Sequence, residues 1–190
     1  MTTYIIIGIA VLVLIYTIST YNKLIKYKNL TEEAFSTMDV YLKKRWDLIP
    51  NLVEIVKGYV KHEESTLTRI TDIRSKSYDN MPINEKININ QQLTQGISTI
   101  MAVAENYPDL KANQSFADLG NSLTEVENEI ANSRKYYNGT VRILNNTVKM
   151  FPNNILSKLF GFKESTMFEA NANEKINVKV DLQWNEIFLK

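Results

Sequence analysis

The apolar positions of the chain fall into three regimes. From Tyr4 to Ile18 they run almost unbroken, YIIIGIAVLVLIYTI, and no charged side chain occurs before Lys23. A helix crosses ~30 Å of hydrocarbon with ~20 mostly apolar residues, and Met1–Tyr21 meets that length. Tyr4, Tyr16 and Tyr21 stand where interfacial aromatic rings are favoured. A cleaved signal peptide is the competing reading, but no Lys or Arg precedes the run and no small-x-small site follows it. The pattern predicts a transmembrane anchor over residues 1–22. Lys23, Lys26 and Lys28 come directly after it. The positive-inside tendency then expects a single-pass protein with the N-terminus outside and the body in the cytoplasm. The same lysines suit anionic lipid headgroups.

In the second regime apolar residues return about every 3.5 positions. From Thr31 to Tyr78 they are Phe35, Met38, Leu42, Ile49, Leu52, Val56, Tyr59, Leu67 and Ile70. Thr31 followed by Glu32 and Glu33 reads as an N-cap with an acidic first turn. Pro50 predicts a kink or a break near Asp47–Pro50. Asp79–Pro82 reads as a turn. A second helix is expected from Asn84 to Asn106, ended by Tyr107-Pro108. A third is expected from Ser115 to Met150, with Leu119, Leu123, Val126, Ile130, Tyr137, Leu144, Val148 and Phe151 on its stripe. A short helix from Asn153 to Phe160 should end at Gly161. In the third regime, Lys175–Leu182 alternates as a strand would. The expected fold is all-α: a transmembrane helix, a long antiparallel bundle of three to four helices over residues 23–162, and a partly extended tail over 163–190.

Charges recur on faces that should be buried. The first seam's own spacing places Arg45 between Leu42 and Ile49, and Glu63 between Tyr59 and Leu67. On the last long helix, Glu127, Ala131, Arg134, Asn138, Val141 and Asn145 form one stripe beside the apolar one. A lone buried charge costs several kcal/mol, so these groups must pair or face water. One reading is an inter-helix polar network that fixes the bundle's register. The other is a solvated flank of an amphipathic helix.

Composition narrows the chemistry. The 190 residues hold 22 Lys+Arg, 21 Asp+Glu, one His and no Cys. That excludes disulfides, thiolate nucleophiles and sulfur-bound zinc, and gives no basic field for nucleic acid. His62-Glu63-Glu64 lacks the second His of a metal helix, so His62 reads as a surface or register residue. No nucleophile–base pair or glycine-rich phosphate loop is present. The expectation is no enzyme, no catalytic residue, no metal and no cofactor. Tyr136, Phe160, Phe162 and Phe168 either form a docking patch or plug the end of the bundle. Two functional readings follow: a scaffold acting at the cell membrane through self-assembly or a membrane-protein partner, and an accessory or stress sensor with a small-ligand pocket lined by the polar seam. A hydrolase using Glu63 or Glu127 has the least support.

Several blocks carry a resemblance. Arg45-Trp46-Asp47-Leu48-Ile49-Pro50-Asn51-Leu52-Val53 leads into Val56-Lys57-Gly58-Tyr59 and His62-Glu63. Later come Glu105-Asn106-Tyr107-Pro108-Asp109-Leu110-Lys111-Ala112-Asn113, then Glu127, Arg134, Tyr137-Asn138 and Asn145, and finally Phe168-Glu169. In order and spacing the chain resembles the bacterial LemA family over about residues 5–170. The resemblance implies a membrane helix, a short outside N-terminus, a cytoplasmic helical bundle and no enzymatic activity. It adds Asp47, Asn51 and Asn113 to the polar positions, beside Pro50 and His62. Where the family often has Gln after Leu119, this chain has Gly120.

Overall fold

The apolar span and the first helix of the body are one element. A computed structural model describes residues 1–60, 64–74 and 77–168, and in it α1 runs unbroken from Thr2 to Lys57. No Gly or Pro lies between Gly8 and Pro50 to interrupt it. The expected helix start at Thr31 is therefore corrected. Thr31 is buried mid-helix, and its hydroxyl donates to the Tyr27 carbonyl one turn back at 2.9 Å. An N-cap signal is local, and a chain already helical overrides it.

The expected break at Pro50 is also absent. Proline removes one helical hydrogen bond, but Trp46, Ile49, Leu52 and Val53 are buried on both sides of it. Their packing outweighs the propensity cost. The helix ends instead at Gly58, whose N–H turns to the Ile55 carbonyl while the Tyr59 N–H takes that of Val56. The remaining described helices are α2 (Glu64–Arg74), α3 (Ile83–Ala104), α4 (Pro108–Lys111), α5 (Gln114–Lys149) and α6 (Asn153–Leu159). A single 3₁₀ turn, Tyr78–Asn80, precedes α3. Among the described residues there is no strand. His62, Glu63 and the alternating Lys175–Leu182 lie outside the described residues.

α1 and α5 form the main helix pair, antiparallel and in strict register. Tyr59 meets Asn113 at 2.9 Å, Arg45 meets Glu127 at 2.6 Å, and the rings of Phe35 and Tyr137 lie 5.6 Å apart. From the first pair to the second, each helix advances by two heptads in opposite directions. That is what a 3.5-residue seam requires of antiparallel partners. Met38, Leu42, Leu52, Leu93, Leu123 and Val141 are fully buried around this axis. Each such Leu contributes about 1.5–3 kcal/mol by leaving water. One stripe residue departs: Phe151 lies past the end of α5 and is 78% exposed.

The ends of the body are built by local chemistry. Asn113 caps α5, its side chain accepting from the Phe116 N–H at 3.0 Å. At the other end Gly161 adopts φ +74°. The Phe162 N–H returns to the Ser157 carbonyl and the Gly161 N–H to Lys158, which closes α6 with a left-handed glycine turn. The most apolar stretch of α1 has no residue buried within the chain. A membrane is the solvent that such a surface fits.

Candidate functional site

The polar interior is organised by Arg45. It projects from α1, is 1% exposed, and reaches two helices. Its Nη1 donates to Glu127 Oε1 at 2.6 Å and to Thr94 Oγ1 at 2.7 Å. Its Nη2 donates to the Asn90 carbonyl at 2.9 Å and to Asn90 Oδ1 at 2.7 Å. One guanidinium thereby joins α1, α3 and α5, as its rigid fork of donors allows. Its Nε–H is buried without an acceptor among the described residues. Glu127 is one-third exposed, so the network opens to water at that side.

Asn90 links Arg45 to a second ion pair. Its amide nitrogen donates to the Lys86 carbonyl at 2.8 Å and stands 3.5 Å from the Tyr78 hydroxyl. Tyr78 donates to Asp39 Oδ1 at 2.7 Å, and Lys86 Nζ to Asp39 Oδ2 at 2.6 Å. The ammonium also sits 4.6 Å from the centre of the Tyr78 ring. Burial first, then the hydrogen bond and charge of Asp39, push the Tyr78 hydroxyl far above its ordinary range. It is a fixed donor. Arg45, Glu127, Lys86 and Asp39 balance in charge, and each side chain has a partner. The arrangement is suited to fixing which faces of the helices meet.

A second construction uses the asparagines of α5. Asn145 donates to the Ser165 carbonyl at 2.9 Å and accepts from the Ser165 N–H at 2.8 Å. Asn138 does the same with Phe168, both at 2.8 Å. Each amide grips both backbone groups of one residue, as a neighbouring strand would. The spacing explains the fit. Seven helical residues rise roughly 10.5 Å, and three extended residues cover about 10 Å. Between the two grips the Tyr137 hydroxyl donates to the Thr166 carbonyl at 2.8 Å. Burial pushes that hydroxyl up to about 12.

The polar positions named from the sequence thus separate into different places. Arg45 and Glu127 meet directly. Asn138 and Asn145 hold the returning chain rather than a facing helix. Arg134 lies over the Phe168 ring at 5.8 Å. Asn113 caps α5 and donates to Tyr59. Asp47 is exposed and pairs with Lys43 on its own helix at 2.8 Å, and Asn51 is exposed too; neither enters the network. Lys23 approaches the Tyr27 ring, Lys26 is exposed, and Lys28 lies 3.7 Å from Glu32. The four aromatic residues do not form one patch. Phe168 is buried in the core, Phe160 and Phe162 pack edge-on against Tyr21, and Tyr136 is exposed.

Asp39, Lys86, Asn90, Thr94 and Tyr78 were not singled out by sequence reasoning. Asn90 was legible in principle. It stands between Ile87 and Leu93 on the apolar stripe of α3, as Arg45 does on α1.

The fold and its interior define a class: a helical bundle whose longest helix carries the apolar span, with paired polar side chains buried between the helices. The model of the LemA family matches residues 34–182, and the chain belongs to that family. It is a membrane-associated protein of LemA type. It is similar to Protein LemA of Metamycoplasma hominis, 24% identical over 159 residues, 83% of this chain and 72% of that protein. It is also similar to Magnetosome protein MamQ 2 of Paramagnetospirillum magneticum, 24% identical, covering 78% of this chain and 64% of that one. Magnetosome protein MamQ of Magnetospirillum gryphiswaldense is 23% identical over 193 aligned positions, 85% of this chain and 70% of that protein.

Proposed function

We propose that this protein is a non-enzymatic scaffold held at the cell membrane, acting through self-assembly or one membrane-protein partner. The observation that carries the reading is the continuity of α1. The same helix supplies the apolar span and the core seam, with no linker between them. A body joined in this way presents its surfaces at a fixed height and angle relative to its anchor helix. The charge-balanced interior supports the reading further, because its ionic groups are engaged with one another. In this reading the anchor is single-pass, the N-terminus lies outside, and the lysines after Tyr21 hold the body on the cytoplasmic face.

Crosslinking in intact membranes followed by mass spectrometry tests the scaffold. Crosslinks between two copies, or to one recurring membrane protein, are expected. Crosslinks within single chains only, with a monomer in detergent at every concentration, overturn it. Orientation is tested by an impermeant maleimide on cells, which should label Thr3→Cys and spare Ser122→Cys.

One observation favours a second reading. A groove of about 550 Å³ lies between α1, α5 and the returning chain, lined by Tyr21, Lys28, Glu32, Tyr137, Lys163 and Thr166. It would serve an accessory protein that binds a small polar ligand. Arg45 and Glu127 are not part of its lining, so such a site would be separate from the seam.

A further inference from the structure

We infer that Met150–Phe160, the α6 segment, lies in the lipid interface beside the anchor, with the bilayer as the occupant of its exposed apolar face. The inference rests on the anchored reading above. Height along α1 is the first observation. The Tyr16 hydroxyl donates to Asn153 Oδ1 at 2.7 Å. Tyr16 belongs to the uncharged run, seven residues and roughly 10 Å of helix before Lys23. Five residues further along, the Tyr21 ring meets Phe160 at 5.0 Å and Phe162 at 5.8 Å. α6 is therefore strapped along the last turns of the span, not below them.

The second observation is what the segment exposes. Met150, Phe151, Ile155, Leu159 and Phe160 are 60, 78, 58, 74 and 43% exposed. Ile155 and Leu159 stand one turn apart on the same face, while Ser157 is buried on the opposite side. Elsewhere in the described body, exposed large apolar side chains occur singly along the sequence. A contiguous apolar cluster marks a contact surface. An interfacial helix buries such a face about 5–10 Å into the headgroup and acyl boundary, which is the depth that Tyr16 and Tyr21 define.

Charge and chain path agree. Lys149, Lys158 and Lys163 flank the cluster, and Lys23 and Lys26 lie at the same end of α1. Lys149 is shared with Glu164 at 2.7 Å. Together these lysines give a cationic rim suited to anionic headgroups. α5 runs toward the span, α6 lies along it, and the asparagine grips on Ser165 and Phe168 lead the chain back along α5. The segment is the tip of a loop that rises to the membrane and returns. The span supplies lipid at this height on the free sides of α1, so the bilayer is the partner that the position fits.

The chain has no cysteine, so single-cysteine variants of the full protein can be labelled with an environment-sensitive nitrobenzoxadiazole dye. They are then placed in vesicles of phosphatidylcholine and phosphatidylglycerol. Ile155→Cys and Leu159→Cys probe the face, with Phe151→Cys as an independent third position. Val11→Cys reports the span and Ser122→Cys the water-facing body. The expected result is blue-shifted emission at 155 and 159, quenched several-fold more by shallow spin-labelled lipid than at 122. Probes reached only by aqueous iodide, with Val11 still lipid-quenched, overturn the inference alone. Blue-shifted probes that neither quencher reaches indicate a protein contact and overturn it too. Loss of lipid quenching at Val11 overturns the anchored reading itself.

Discussion

Nη1 of Arg45 stands 2.6 Å from Oε1 of Glu127, yet the two ends of this ion pair live in different surroundings. The guanidinium is sealed between three helices, while the carboxylate is one-third open to water. Removing one partner of such a pair costs about 3–5 kcal/mol when the charge left behind is buried. Glu127→Gln leaves the sealed guanidinium without a counter-charge and should destabilise the chain by roughly 3 kcal/mol. Arg45→Met leaves a carboxylate that reaches water and strands the Thr94 and Asn90 acceptors, and should cost about 1–2 kcal/mol. Chemical denaturation of the detergent-solubilised protein, followed by circular dichroism, measures both. Equal losses would mean that the network does not depend on which end is buried.

The Tyr78 hydroxyl gives a pH test. An acid whose pKa rises on folding binds its proton more tightly in the native state. The stability this contributes is complete below the unfolded value near 10 and declines as pH rises above it. Tyr78→Phe loses the bond to Asp39 and should be destabilised at pH 8. Its deficit against the parent should then shrink by up to about 1.4 kcal/mol per pH unit above 10. Melting curves from pH 8 to 11 give the comparison. A deficit that stays constant with pH would contradict the buried, protonated phenol.

The two asparagine grips should act independently. Asn145→Leu removes both bonds to Ser165, and Asn138→Leu both bonds to Phe168. Each change should cost about 1–2 kcal/mol. Amide hydrogen exchange should accelerate at Ser165 in the first variant and at Phe168 in the second. Unchanged exchange at both amides would show that the segment is held by other contacts.

Two glycines within helices should respond oppositely to alanine. A Cβ at Gly96 would lie 2.8 Å from two Ile70 side-chain atoms, whereas at Gly120 it would meet only Met101 Cε at 3.8 Å. Gly120→Ala should stabilise by up to about 1 kcal/mol through helix propensity. Gly96→Ala gains the same propensity but pushes α2 away from α3, and overpacking costs about 1–3 kcal/mol. Thermal melts of the two variants should shift in opposite directions.

Most of the helices were legible because their stripes are regular. α3, α5 and α6 all begin and end within two residues of their expected bounds. Arg45 and Glu127 were found by spacing alone. What spacing could not supply was partnership. Asp39, Lys86 and Tyr78 converge only because α3 takes one particular height against α1, a non-local outcome. Asn138 and Asn145 were on the right stripe, but their partners are backbone groups of a segment with no periodicity of its own. The helix start expected at Thr31 and the break expected at Pro50 fail for the same reason. Both are local signals, and in both the continuous packing of α1 prevailed.

The continuity of α1 makes it a lever. At 1.5 Å per residue, the portion from Tyr21 to Lys57 reaches about 55 Å beyond the span. Spans tilt to match the thickness of their bilayer. With no joint between span and body, a ~10° change of tilt swings the far pole of the molecule by about 10 Å. In the anchored arrangement proposed above, bilayer thickness is thereby converted into the position of a surface well away from any lipid.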